Sequence, residues 1–116
     1  MAKSAFEPLR DGDFHQHLAD ARGRALVLFS GPACGACRSV AARLPEAAAG
    51  AGIDHLFFVD VETSTGVARE FEVFHLPTLL LFNNGEFHAE INCEISAKAL
   101  RTAIDTALAQ PACDAP

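Results

Sequence analysis

The chain has no tryptophan and no tyrosine, a single methionine, and only nine lysines and arginines among 116 residues. Those nine basic groups face fifteen acidic ones, a net charge of −6 with histidine neutral, so no positive field exists to neutralise phosphates. Nucleic acid and anionic membrane surfaces are therefore poor partners, whereas other proteins remain open. No stretch approaches the ~18 continuous apolar residues of a membrane-spanning helix. The N-terminal run Met1-Ala2-Lys3-Ser4-Ala5-Phe6-Glu7-Pro8 also lacks the apolar core, roughly 7 to 15 residues long, of a secretory leader. The expected compartment is the cytoplasm. In a reducing compartment the four cysteines are not expected to form a structural disulfide framework, and catalytic or metal-binding use becomes the better expectation.

What the chain does contain is ordinary globular material: half of it is apolar and about a fifth is charged. Its length suits one domain, which would bury roughly 65% of its unfolded surface in one core. Residues 1–110 are read as that domain and 111–116 as a frayed tail. The acidic group Asp11-Gly12-Asp13 precedes Phe14, Leu18 and Ala21 at helical spacing, which predicts a first helix over about 13–22 with an acidic cap. Ala25-Leu26-Val27-Leu28-Phe29 is short, apolar throughout and ended by Ser30-Gly31-Pro32, the pattern of a buried strand.

An alanine-rich helix follows Cys34 and stops near Gly50-Ala51-Gly52, with Pro45 expected to kink it. Residues 53–61 read as a second buried strand. A short helix capped by Ser64 or Thr65 carries Val67, Ala68 and Phe71 on one face. Leu79-Leu80-Leu81-Phe82 and Phe87 to Asn92 flank the tight-turn signal Asn84-Gly85 and should pair as an antiparallel hairpin. Ser96 caps a last helix striped by Leu100, Ala103, Ile104, Ala107 and Leu108. A βαβ unit followed by a helix and a ββα unit predicts an α/β fold: a mixed sheet of four to five strands, flanked by helices on both faces.

Cys34 and Cys37 bracket Gly35-Ala36 at the junction of the first buried strand and the long helix. There the unpaired amides and dipole of a helix N-terminus favour a thiolate at Cys34, making it the nucleophile. Cys37 lies one turn deeper on the same helical face, able to resolve a mixed disulfide formed on Cys34. Half of a zinc site is the rival chemistry, but no second C-x-x-C or H-x₃₋₅-H stands at partnering distance, and no metal is assigned. Two inert thiols are the other alternative, disfavoured by the strand-to-helix position.

In order and spacing, Ala25 to Phe29, Cys34-Gly35-Ala36-Cys37-Arg38, Leu76-Pro77-Thr78-Leu79-Leu80-Leu81-Phe82 and Asn84-Gly85-Glu86 resemble the thioredoxin family along nearly the whole chain. The resemblance implies a thioredoxin fold with a cis peptide bond before Pro77. It also implies a substrate platform at Leu76 and Pro77, where backbone groups receive an extended partner chain. It further brings three candidate modulators near the cysteines. His75 stands two residues before Pro77 and would stabilise the thiolate, unless it is a solvent-facing loop histidine. Cys93 matches a glycine lining the substrate groove and would face Cys34, unless it is a small buried thiol filling a gap. Asp60, or Glu62 in its place, would accept a proton, unless it is a solvated strand-end acid.

Several positions depart from the family pattern. The buried aspartate and its lysine partner are matched by Leu28 and Phe58, a change that removes both charges together rather than stranding one. A more stable fold and a slower deprotonation of Cys37 are the expected consequences. Ser30 and Ala33 replace tryptophans, and Gly35-Ala36 replaces Gly-Pro, which leaves less apolar docking surface. Arg38 keeps the usual basic position, either favouring the thiolate or simply solvated.

The expected function is a thiol-disulfide oxidoreductase, a protein-disulfide reductase that serves cell redox homeostasis. It would act as a monomer on disulfide-containing proteins, without a cofactor, and draw electrons from a separate reductase. The alternative is a thioredoxin-fold binding module whose cysteine pair is vestigial or a switch. An oxidant or isomerase is a third reading, one that would call for an exported precursor.

Overall fold

A computed structural model describes residues 6–113. The elements run β1 (Glu7–Pro8), α1 (Phe14–Asp20), β2 (Arg24–Ser30), α2 (Gly35–Gly50), β3 (His55–Asp60), α3 (Thr65–Glu70), β4 (Thr78–Asn83), β5 (Glu86–Glu90) and α4 (Ala97–Leu108). They form one five-stranded sheet in the order β1-β3-β2-β4-β5. β1, β3 and β2 run parallel, and β4 and β5 are antiparallel to their neighbours. The mixed sheet and its C-terminal hairpin are as the element order predicts. The short edge strand β1, Glu7 against Phe57 and Pro8 against Phe58, carries no alternating pattern of its own and is an addition.

The period-two alternation of strand side chains divides the interior into two cores. Ala25, Val27 and Phe29 of β2 face one side, where Phe14, Leu18, Val67 and Phe71 of α1 and the α3 segment close over them. Leu26 and Leu28 face the other, against Leu44, Ala47 and Ala48 of α2 and Leu100 and Ile104 of α4. β2 is buried almost throughout because it has a strand on each edge and helices on each face.

Local signals explain most boundaries, with instructive exceptions. Asn84 and Gly85 both take positive φ, 52° and 86°, the backbone a two-residue type I′ hairpin turn requires. Gly85 is needed for a second reason: a Cβ there would lie 2.8 Å from the Leu18 carbonyl oxygen of α1. The helix α2 continues through Pro45 to Gly50, and the chain turns at Gly52 with φ 78°.

The caps of the short helices differ from the local reading. Ser64 makes no capping bond with its side chain; the carboxylate of Asp11 accepts instead from the amides of Gly66 (3.2 Å) and Val67 (2.8 Å). Asp13 accepts from the Arg10 amide at 2.9 Å and gives α1 no side-chain cap. Ser96 does cap α4, its Oγ accepting from Ala99 at 3.2 Å.

At the far edge, the pairing of β4 with β5 shifts between Leu81 and Phe82, leaving His88 as the extra residue of a bulge. His88 is buried, its Nε2 lies 2.6 Å from the Ala107 carbonyl oxygen of α4, and its own carbonyl accepts from the Cys113 amide at 2.7 Å. Within the segment expected to fray, the Cys113 amide thus bonds to β5, while residues 114–116 lie outside the described ones.

Candidate functional site

β2 delivers the chain to Ser30, and the turn Gly31-Pro32-Ala33 brings Cys34 to the N-cap of α2. Cys34 has the extended backbone of an N-cap residue, φ −106° and ψ 106°, and its Sγ accepts the Cys37 amide at 3.1 Å. A sulfur occupies the place that a serine or aspartate oxygen takes in ordinary caps, so one orphan donor of the first turn, the Cys37 amide, points at it. Cys34 and Cys37 are joined by a disulfide with their Cα atoms 5.2 Å apart. Cys34 is half-buried and Cys37 is 1% exposed, with the exposed Gly35 and Ala36 between them. Only the first sulfur is accessible to an incoming chain; the second is reached from inside.

The loop before β4 lies against this turn. Phe29 and Thr78 are Cα partners in the β2-β4 pairing, which brings the start of β4 alongside the end of β2. Leu76 packs on the glycine of the turn: a Cβ at position 31 would lie 3.0 Å from Leu76 Cδ1. The Leu76-Pro77 peptide bond is cis, and Leu76 and Pro77 are half-buried. The Thr78 hydroxyl donates to the His75 carbonyl at 2.5 Å, tying down the backbone just before the proline.

Beneath the turn lies a cleft of about 270 Å³ to which Ser30, Cys37, Arg38, Phe58 and Asp60 contribute. Leu28 and Phe58 are Cα partners on adjacent strands, with Leu28 0% exposed and Phe58 half-buried in the α2/α4-side core. Asp60 is the carboxylate that shares this cleft with Cys37; one of its oxygens accepts the Glu62 amide at 2.9 Å.

The turn that leads to Cys34, Gly35, Ala36 and Cys37 thus has Leu76 packed on its Gly31, with Pro77 next in the chain, and Asp60 lines the same cleft as Cys37. His75 and Cys93 are the other two candidates. His75 is exposed and takes part through its carbonyl. Cys93 is a free thiol packed against the α2/α4-side core, and burial, followed by the charge of Glu94, raises its pKa above the ordinary thiol value. Both features fit a gap-filling thiol. Sequence reasoning passed over Phe74, which stands beside His75 and is 80% exposed. Its signal was an aromatic residue in the loop directly before Leu76-Pro77.

Among the described residues, no group of three or more His, Cys, Asp and Glu side chains is placed to hold a metal. Nor is any helix of these residues long and apolar enough to cross a membrane.

A family model described as Thioredoxin matches residues 5–106. This chain belongs to the thioredoxin family. It is 35% identical to the thioredoxin of Mycobacterium tuberculosis (strain ATCC 25618 / H37Rv) over 85 residues, covering 72% of this chain and 73% of that one. It is 37% identical to protein disulfide-isomerase A3 of Gallus gallus over 79 residues, which are 67% of this chain but 16% of that longer protein. Among solved structures, the zinc-bound form of human ERp44 superposes with a TM-score of 0.73 at 23% identity, covering 87% of this chain and 30% of that one, a likeness of fold. The family together with a disulfide-forming cysteine pair supports thiol-disulfide oxidoreductase chemistry.

Proposed function

We propose that the protein reduces or exchanges disulfides in partner proteins through a Cys34/Cys37 cycle, in the cytoplasm, with a separate reductase restoring the dithiol. The observation that carries this reading is the half-buried Cys34 sulfur at the N-cap of α2, accepting the Cys37 amide and bonded to the buried Cys37 sulfur.

Starting from the dithiol, the Cys34 thiolate attacks one sulfur of a partner disulfide. A bond forms between Cys34 and the partner, and the partner's other sulfur leaves as a thiolate that takes up a proton. Leu76 and Pro77 hold the partner backbone during this step. Cys37 then loses its proton and attacks Cys34 Sγ, which breaks the mixed disulfide, releases the second partner thiol and yields the Cys34-Cys37 disulfide. Two electrons pass from the pair to the partner, and the reductase later returns two. Asp60 receives the Cys37 proton through the cleft they share, since neither Leu28 nor Phe58 is able to accept one.

The test is turnover of a disulfide-bonded protein by the wild type and by Cys34→Ser, once with a thioredoxin reductase and once with dithiothreitol as electron source. Wild-type turnover in either assay, abolished in Cys34→Ser, is expected. Failure of the wild type in both, with its disulfide still reducible, would overturn the proposal. It would favour the second reading, a docking module, to which the apolar pair Leu28 and Phe58 beneath the cysteines lends weight.

A further inference from the structure

Among the described residues, Phe74 is the large apolar side chain left in solvent, at 80% exposure. Isolated exposed apolar residues are common on protein surfaces, so exposure alone decides nothing. Position does. Phe74 is continuous in the chain with His75, Leu76 and Pro77, and Leu76 packs on Gly31 of the turn that presents Cys34. Its neighbours Phe71 and Val73 turn into the α1/α3-side core and fix the backbone on one side, while the bond from Thr78 to the His75 carbonyl fixes it on the other. An exposed ring is thereby mounted on an anchored loop, three residues before Pro77 in the chain.

Any protein substrate must bring its own cysteine to Cys34 and so lay its backbone across Leu76 and Pro77. Three residues span at most about 10 Å of extended chain, which bounds how far Phe74 stands from Pro77. A partner chain running from Pro77 toward Phe74 would bring a side chain about three positions from its attacked cysteine within that span.

We infer that Phe74 is a specificity-determining docking residue that selects partner segments carrying an apolar side chain about three residues from the disulfide cysteine. The inference rests on the disulfide-exchange reading above. The chain has no tryptophan with which to make such a contact, and Ala33, next to Cys34, is exposed and small. The ring at Phe74 supplies apolar area that the cysteine loop itself lacks, and a partly buried aromatic contact of this kind discriminates about fivefold or more between apolar and polar partners.

The experiment compares wild type with Phe74→Ser, a change at an exposed position that leaves the cores intact. The substrates are disulfide-linked peptide dimers with Leu or Ser three residues from the cysteine, on its N-terminal side in one set and its C-terminal side in another, with hydroxyethyl disulfide as a small control. In at least one set the wild type is expected to prefer the Leu peptide about fivefold in kcat/KM, through KM. Phe74→Ser abolishes that preference and keeps the wild-type rate on hydroxyethyl disulfide.

A wild type indifferent to the Leu-Ser exchange in both sets, or a Phe74→Ser protein that keeps the preference, would overturn the inference. In a Cys37→Ser background the same question is asked without turnover. A peptide thiol displaces glutathione from a Cys34-glutathione mixed disulfide, leaving a Cys34-peptide mixed disulfide and free glutathione. The position of that equilibrium should favour the Leu peptide only while Phe74 is present. Should the wild type reduce none of the substrates while this equilibrium still depends on Phe74, the reductase reading fails and the docking role stands; independence from Phe74 removes the docking role.

Discussion

The amide of Val67 donates to Asp11 Oδ1 at 2.8 Å, so the first turn of α3 is capped from across the fold by a residue in the loop before α1. The Gly66 amide donates to the other oxygen of the same carboxylate. One side chain thus satisfies two orphan amides and stitches two helices on the same sheet face.

Asp11→Ala should destabilise the protein by about 1 to 2 kcal/mol, the usual worth of a side-chain cap. Ser64→Ala should change stability by much less, because the buried Ser64 hydroxyl makes no hydrogen bond with the described residues. Urea unfolding of the two variants reads the difference. A larger loss at Ser64 than at Asp11 would contradict the long-range cap.

Leu28 is 0% exposed and paired across the strands with Phe58. Leu28→Asp alone places an unpartnered carboxylate in the α2/α4-side core and should cost about 3 to 5 kcal/mol at neutral pH. Adding Phe58→Lys supplies a counter-charge and should recover part of that loss. A double-mutant cycle by chemical denaturation measures the coupling, and additive single effects would show that the two side chains do not meet.

With Asp60 in the cleft beside Cys37, Asp60→Asn should slow the resolving step about tenfold at neutral pH, at the low end of what a positioned proton acceptor contributes. The mixed disulfide on Cys34 should then accumulate in rapid-quench experiments. The deficit should shrink as pH rises, since hydroxide takes over deprotonation of Cys37. A pH-independent deficit would assign Asp60 a structural role instead.

The two free thiols are expected to separate cleanly on alkylation. Cys113 is exposed, whereas the raised pKa of Cys93, caused by burial and then by Glu94, keeps it protonated to higher pH than an ordinary thiol, whose value is 9.0. In the oxidised protein iodoacetamide should therefore label Cys113 first, with Cys93 following only as pH is raised further, and Glu94→Gln should hasten it. The sign for stability follows from linkage. Below pH 9.0 the folded and unfolded chains both keep the Cys93 proton, and as pH climbs past that value the unfolded chain loses it first, so folding weakens. Mass-spectrometric mapping of the labelled sites checks the order, and equal labelling of the two would refute it.

Much of this molecule was legible in its sequence because much of it is specified locally. The apolar run of β2, the Asn84-Gly85 turn and the Ser96 cap each act over a few residues, and each has the predicted role. The candidate site was legible for the same reason at Cys34 and Cys37, where a strand end and a helix start adjoin in the chain. What local patterns do not carry was missed. Glu7-Pro8 becomes a strand only because β3 offers it a free edge. Asp11 reads as the cap of the helix it precedes, and its actual partners lie more than fifty residues on. Phe74 carries only the weak signal of an aromatic residue in a loop, and its exposure is set by the tertiary fold.

The pairing of Phe29 with Thr78 across β2 and β4 separates two properties in time as well as in space. The thiols at Cys34 and Cys37 exist from the moment the chain is made, and a turn of helix is enough to bring them within reach of each other. The ledge at Leu76 and Pro77 and the ring at Phe74 come from a distant part of the chain, joined to the cysteine loop only by a contact of long sequence separation, the kind whose loop-closure entropy must be met before it forms. A nascent or partly unfolded molecule therefore carries both thiols before the platform proposed at Leu76 and Pro77 exists. With Leu76, Pro77 and Phe74 in the roles proposed above, selectivity would arrive only with the completed sheet.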